Sequence, residues 1–185
     1  GSPNNWDAAW VFVKYNDCSG GIPQWQHLNL STAAVHTVSG GILQVDPTTD
    51  GVGVFIRRSV AGFNGAAPIT GNVVLTFGAV LPSSNYQFKV FGIETVYCPA
   101  NSYDIGDGTS TNRFNSIQIT AAMQAAGIAT ASVTLGGTGT TAGTLPSTYP
   151  MGTGGFYVMK YNMTTLQLVD FLNTLPYDQQ AQHLL

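Results

Sequence analysis

The stretch YDIGDGTSTNRF, from Tyr103 to Phe114, gathers two aspartates, several hydroxyls, an amide and an arginine in a chain whose charged fraction is only 8%. Two readings fit these residue types. Asp104, Asp107 and Asn112 can offer oxygen ligands to a hard cation such as Ca2+, which takes about six to eight oxygens and accepts loop carbonyls. The spacing is not that of an EF-hand, which places acids at alternate positions and closes with a glutamate. The second reading is a tight turn. Asp-Gly recurs at Asp50-Gly51, after VDPTT and again between strands, because the dipeptide suits turns with positive φ. The recurrence favours the turn, and Asp104, Asp107 and Asn112 stay as the ligands that loop would bring to a cation. Tyr103 and Thr109, with Asp50 of the other Asp-Gly loop, are candidate ligand or receptor contacts.

The familiar catalytic patterns fail on specific residues. His27, His36 and His183 lie in separate segments with no i, i+4 pair, so zinc-protease spacing is absent and each is expected on the surface or packed. Ser110 has Gly108 before it but Asn112 after it, which breaks the nucleophile elbow. Gly137, Gly139 and Gly143 follow the apolar run ASVTL, yet Pro146 and Pro150 forbid the helix whose N-terminus a phosphate cradle needs. Glutamate occurs once, at Glu94, so a paired-carboxylate mechanism would have to recruit a distant aspartate. These failures predict a protein that is not an enzyme.

Aromatic residues are the remaining chemistry. Trp10 and Phe12 share one face of a strand and are expected in the core. Trp25, between Gln24 and Gln26 after Pro23, is the better candidate for a surface platform that stacks on a sugar ring.

Composition limits the partners. Six Lys and Arg against nine Asp and Glu cannot neutralise many phosphates, which argues against nucleic acid. No apolar run approaches the ~18 residues of a membrane span, so no membrane partner is expected. A hydrophobic fraction of 44% supplies a core and argues against disorder. Cys18 and Cys98 are too few for a disulfide scaffold. They are expected as two unpaired thiols, with a single bridge closing a loop of about eighty residues as the alternative. Asn29-Leu30-Ser31 and Asn162-Met163-Thr164 match the N-glycosylation pattern, as so Asn- and Thr-rich a chain will do by chance.

The elements that must carry these residues are strands. Runs rich in Val, Ile, Phe, Tyr and Thr recur at Trp10 to Tyr15, Ile42 to Val45, Gly53 to Arg58, Asn72 to Phe77, Tyr86 to Tyr97, Asn115 to Ile119, Ala129 to Leu135 and Gly155 to Tyr161. In the longest run Tyr86, Phe88 and Val90 alternate with Gln87 and Lys89, the period of a half-buried strand, until Gly92 suggests a bulge or bend. TAAMQAAG offers a short helix capped by Thr120. TTLQLVDFLNTLP fits strand and helix equally, and Pro176 can open a short terminal helix. Gly136 to Gly155 is nearly all Gly, Thr, Ser and Pro, a long loop. The expected fold is all-β: an antiparallel β-sandwich or jelly roll with long loops and one or two short helices. Residues 1–5 read as a cloning scar and linker, and 6–185 as a single β-rich domain.

Low charge, Thr/Gly/Asn-rich loops between short strands and the ending AQHLL together resemble the C-terminal protruding domain of small non-enveloped RNA virus capsid proteins, of nodavirus-like or Lake Sinai virus-like type. That resemblance implies a β-rich spike on the virion surface that forms homo-oligomers, dimers or trimers, within a capsid. It implies attachment to a host cell-surface receptor, with a glycan among the candidates, through the outer loops. Some nodavirus members bind Ca2+ in or near this domain, which would lift the cation reading of Asp104 and Asp107; no other cofactor is implied. The alternative is a carbohydrate-binding module, or the head of a phage or bacterial adhesin, working outside the cell with Trp25 as its stacking platform.

Overall fold

The computed structural model describes residues 6–19, 24–40, 42–60, 70–82, 85–105, 117–126, 134–135, 141–142 and 152–183. In chain order the elements are β1 (Asp7–Asp17), β2 (Trp25–Leu28), β3 (Thr37–Val38), β4 (Leu43–Pro47), β5 (Val54–Arg58), β6 (Val73–Val74) and β7 (Tyr86–Cys98). There follow β8 (Tyr103–Ile105), β9 (Ile117–Ile119), α1 (Ala121–Ala126), β10 (Thr134–Leu135), β11 (Thr141–Ala142), β12 (Phe156–Met159), α2 (Thr165–Leu172) and α3 (Tyr177–His183). The fold is all-β and antiparallel, as the sequence predicts. Two compact units divide the chain, residues 1–97 with 157–185 and residues 98–156.

The first unit is built on a six-stranded sheet of order β12-β7-β1-β5-β4, with β2 also paired to β1. Its spine is the pairing of β1 with β7, which runs without interruption from Asp7↔Val96 to Asp17↔Tyr86. Gly92 sits in that register opposite Val11, so the bulge expected there does not occur. Along its other edge β1 pairs first with β5, from Ala8↔Arg57 to Val11↔Val54, and then with β2, from Val13↔Leu28 to Asn16↔Trp25. Among the described residues the remaining ladders have two or three pairs each, β3 with β6, β8 with β9 and β10 with β11, so no second sheet of sandwich size stands there.

Because antiparallel partners share a face and neighbours alternate, β1 sorts the unit into two chemistries. Val11, Val13 and Tyr15 fall on an aliphatic face with Leu28, Val54, Ile56 and Val45, and Leu30, Leu75 and Leu81 close over it. Val54 is completely buried. Each such side chain contributes about 1.5–3 kcal/mol of transfer free energy, which makes this face the stabilising core. The opposite face carries Ala8, Trp10, Phe12, Lys14 and Asn16 and is largely aromatic.

The β4–β5 hairpin shows why Asp50-Gly51 is written as it is. Gly51 has φ +72°, and a Cβ there would stand 2.9 Å from the Leu30 carbonyl oxygen. That approach is used: the Leu30 N–H donates to the Gly51 carbonyl at 2.8 Å. Two residues on, a Cβ on Gly53 would lie 2.6 Å from Nε1 of Trp10, so the glycine makes room for the indole.

Helices are three among the described residues, one more than expected. In α1 the Thr120 hydroxyl accepts from the Met123 N–H at 3.4 Å, the cap read from the sequence. The ambiguous tail resolves to α2, whose N-terminus is a capping box: Thr164 Oγ1 accepts from the Gln167 N–H at 3.2 Å, and Gln167 Oε1 accepts from the Thr164 N–H at 2.8 Å. Pro176 stands one position earlier than the first helical residue, since its carbonyl accepts from the N–H groups of Gln179 and Gln180 that open α3. Cys18 and Cys98 are free thiols, both half-buried.

In the second unit β8 pairs with β9 from Tyr103↔Ile119 to Ile105↔Ile117. Ile119 is buried there, and the Asn101 N–H donates to the carbonyl of buried Thr153 at 3.2 Å.

Candidate functional site

Of the residues singled out from the sequence, Trp25 and Asp50 belong to the first unit and Tyr103 and Asp104 to the second. Asp107, Thr109 and Asn112 lie outside the described residues. Tyr103 and Asp104 are consecutive in β8 and both exposed, with Asp104 opposite Gln118. Among the described residues no group of three or more His, Cys, Asp and Glu stands close enough to hold a metal ion. Asp50 is an exposed turn residue whose Oδ1 accepts from the Val52 N–H at 3.0 Å. That hydrogen bond, with a second from the Thr48 side chain, holds its carboxyl below the usual aspartate range. Trp25 is half-buried in β2 opposite Asn16, not a free platform. His27 and His36 are packed, as expected. Nε2 of His27 lies 2.7 Å from the Val52 carbonyl. His36 accepts from the Thr76 N–H at Nδ1 (3.0 Å), which leaves Nε2 as the donor to the Ser31 carbonyl at 2.8 Å.

What the fold does gather is an aromatic surface on the sheet face opposite the aliphatic core. Its middle is set by register. Trp10 stands opposite Ile93 on one side and Phe55 on the other, and Phe12 stands opposite Phe91. The Phe12 and Phe91 rings are stacked, with centroids 5.0 Å apart. At one end Trp6 stacks on Tyr97 at 4.2 Å, Tyr157 stacks on Phe55 at 3.7 Å, and the Trp6 indole N–H donates to the Tyr157 hydroxyl at 3.3 Å. The Arg57 guanidinium covers the Trp6 ring at 4.9 Å and pairs with Asp46, so it is spent on structure. Burial raises the Tyr157 hydroxyl above the ordinary tyrosine range.

At the other end two lysines, Lys14 and Lys89, stand directly opposite each other. Their repulsion is relieved by α2, which supplies Asp170 to Lys89 at 3.0 Å and the ring of Phe171 to Lys14, 5.7 Å from Nζ. Lys14 is only 6% exposed, and burial lowers its pKa from the ordinary lysine value. The same Phe171 presents its edge to Phe12 and to Phe91, at 6.2 and 6.0 Å with interplanar angles of 81° and 79°. Such edge-to-face pairs each contribute about 0.5–1.5 kcal/mol beyond area burial. One aromatic residue thus clamps α2 to the sheet.

Between α2, the segment leading into it and the sheet lies a cavity of about 340 Å³. Trp10, Phe12, Phe91, Ile93 and Phe171 form its interior, and Met159 and Met163 its lip. Its polar side chains are Tyr161, Asn162 and Gln167, all neutral, and among the described residues no Lys, Arg or His lines it. Gly92 and Glu94 also border it. The pleat that turns Trp10 and Ile93 inward turns Glu94, opposite Ala9, toward the other face, so Glu94 offers its backbone. Such a lining favours binding of apolar groups.

Around the mouth the surface stays apolar. Met159, Tyr161, Met163, Leu166, Leu168 and Val169 are all substantially exposed, Leu166 to 72%. Leu166, Leu168 and Val169 are exposed on α2, whose polar Gln167 and Asp170 turn toward the cavity and Lys89, and no residue of the helix is buried. Neither the cavity nor this surface was visible in the sequence. The one local signal was Thr164-x-x-Gln167 ahead of an apolar run, which marks a helix start and would have placed Gln167 and Phe171, four apart, on one face. No protein-family model, no curated protein and no solved structure matches the chain.

Proposed function

We propose that this chain is a non-catalytic surface domain that associates with copies of itself, as the protruding domain of a small viral capsid does at the virion surface. The observation that carries the reading is the exposed apolar surface formed by Met159, Tyr161, Met163, Leu166, Leu168 and Val169. Its apolar side chains are each 44–72% exposed, and exposed apolar surface of this kind marks sites of association. A second copy of the chain is the occupant proposed: a two-fold contact would cover β12 and α2 on both partners at once. The receptor-facing role rests on the resemblance of the sequence to capsid protruding domains.

Sedimentation equilibrium tests the reading. The native protein is expected as a dimer or higher oligomer, and a variant carrying Leu166→Lys and Val169→Lys as a monomer with an unchanged circular dichroism spectrum. A native protein that stays monomeric at high micromolar concentration refutes it.

A further inference from the structure

We infer that the cavity beneath α2 is a binding site for a neutral amphiphile: an apolar chain or ring ending in one oxygen that accepts a hydrogen bond, such as a fatty alcohol or an ester. The site lies within the first unit, and Met159, Tyr161 and Met163 at its rim also belong to the surface proposed for self-association. Three features point to it.

The first is size. The pocket opens to the surface between Met159 and Met163 and measures about 340 Å³. It equals roughly eleven water volumes and falls in the range of small-molecule pockets, which fits a chain of about eight to ten carbons. The second is preorganisation. The inner walls are rings held by one another, Phe12 on Phe91 with Phe171 edge-on to both, whereas the lip is Met159 and Met163, unbranched and adaptable. Rigid walls with a soft entrance suit a ligand that enters end first.

The third feature is the polar chemistry. No Lys, Arg or His is among the described lining residues, so a carboxylate or an ammonium drawn inside would lose hydration without an ion-pair partner on the walls, which disfavours both against a neutral head group. Gln167 then sets the sense of the hydrogen bond. Its Oε1 already accepts from the Thr164 N–H and hydroxyl in the capping box, so what it has left to offer is its amide N–H₂. A donor calls for a ligand acceptor, which a hydroxyl or ester oxygen supplies.

The test uses 1-octanol with the intact protein carrying 13C-labelled methionine methyls. Octanol is expected to shift the Met159 and Met163 signals and to give intermolecular NOEs to the rings of Phe12 and Phe91. Octanoate and octylammonium are expected to bind at least about tenfold more weakly. Gln167→Glu keeps the acceptor that the capping box needs and removes the donor, so it should leave α2 intact and weaken octanol about tenfold. Absence of shifts at the solubility limit of octanol overturns the site. Equal binding of octanoate, or undiminished octanol affinity in Gln167→Glu, overturns the ligand class. The NOEs to Phe12 and Phe91, away from the surface proposed for self-association, separate occupancy of the cavity from a change of oligomeric state.

Discussion

Phe171→Ala isolates the contact that fixes α2. The helix has eight residues, well short of the roughly 12–15 at which an isolated helix becomes even marginal, so its order depends on docking. Its capping box contributes about 1 kcal/mol. Truncating a fully buried phenylalanine costs about 3–5 kcal/mol, and half-buried Phe171 sits near the bottom of that range. Its two edge-to-face contacts and its place under the Lys14 ammonium keep it there, for a loss of about 3 kcal/mol. That exceeds what the cap supplies, so α2 should open locally while the sheet persists, because the aliphatic core lies on the other face. A loss of this size raises the opening constant about 100-fold. Native-state hydrogen exchange reads it directly at the amides of Leu168 and Asn173, which donate to Thr164 and Val169 at 3.0 Å. Those amides should exchange about two decades faster, while β1 amides paired with β7 change far less. Unchanged protection of α2 would refute the clamp, and a uniform rise across sheet and helix would refute the separation of the two faces.

Two substitutions test the electrostatics. Lys14→Met keeps the apolar stem and removes an ammonium that burial penalises. Because the folded pKa lies below the unfolded value of 10.5, the penalty applies in full at neutral pH and fades as pH rises through the folded pKa toward 10.5. The variant should therefore be more stable by about 1 kcal/mol in urea titrations at pH 7, with the gain shrinking in alkali; a less stable variant would show that the contact with Phe171 outweighs burial. At Asp50, the Val52 N–H and the Thr48 hydroxyl depress the carboxyl pKa below its ordinary 3.8. Its stabilisation is present above that value and lost as pH falls through the folded pKa, so native protein and Asp50→Ala should differ in urea midpoint at neutral pH and converge in strong acid. Asp50→Asn, which keeps an acceptor for Val52, should recover most of the difference, and a gap that does not narrow in acid would assign Asp50 some other role.

Much of the fold was legible in the sequence because β-branched and aromatic runs punctuated by Gly and Pro specify strands, and β1, β4, β5, β7 and β12 fall within a few residues of where those runs place them. Which face is covered was not legible. Period two reveals a pleat, and Tyr86, Phe88 and Val90 read as the inward row of β7. In the fold Phe88 is 47% and Val90 64% exposed, whereas Lys89 and Phe91, of the opposite row, lie beneath α2. The reason is tertiary: the aliphatic core is centred on β1, β2 and β5, and the cover over the other face comes from a segment eighty residues away. β2 was missed because WQHL has neither alternation nor a β-branched residue, and it is a strand because β1 offers it an edge. The cavity joins positions near 10, 92 and 165, a juxtaposition that no local pattern encodes.

The scarcity of charge gains a meaning from where the charges sit. Among the described residues three ion pairs stand out: Arg57 with Asp46, Lys89 with Asp170 and Lys160 with Asp7. The last two fasten the segment that holds β12 and α2 to the strands beneath it. Exposed pairs of this kind contribute about 0–1 kcal/mol each, so they orient the segment more than they secure it. The securing contact on the inner side is Phe171, while the outer side remains apolar and open. A segment with one face lightly pinned and the other uncovered is most stable when something lies over it. The chain spends few charges on solvating that outer face, where repulsion between like charges would keep copies apart. Low charge, a helix without a buried residue and a sheet edge formed by β12 are together what the proposed self-association would use, and the Leu166→Lys, Val169→Lys variant tests that link.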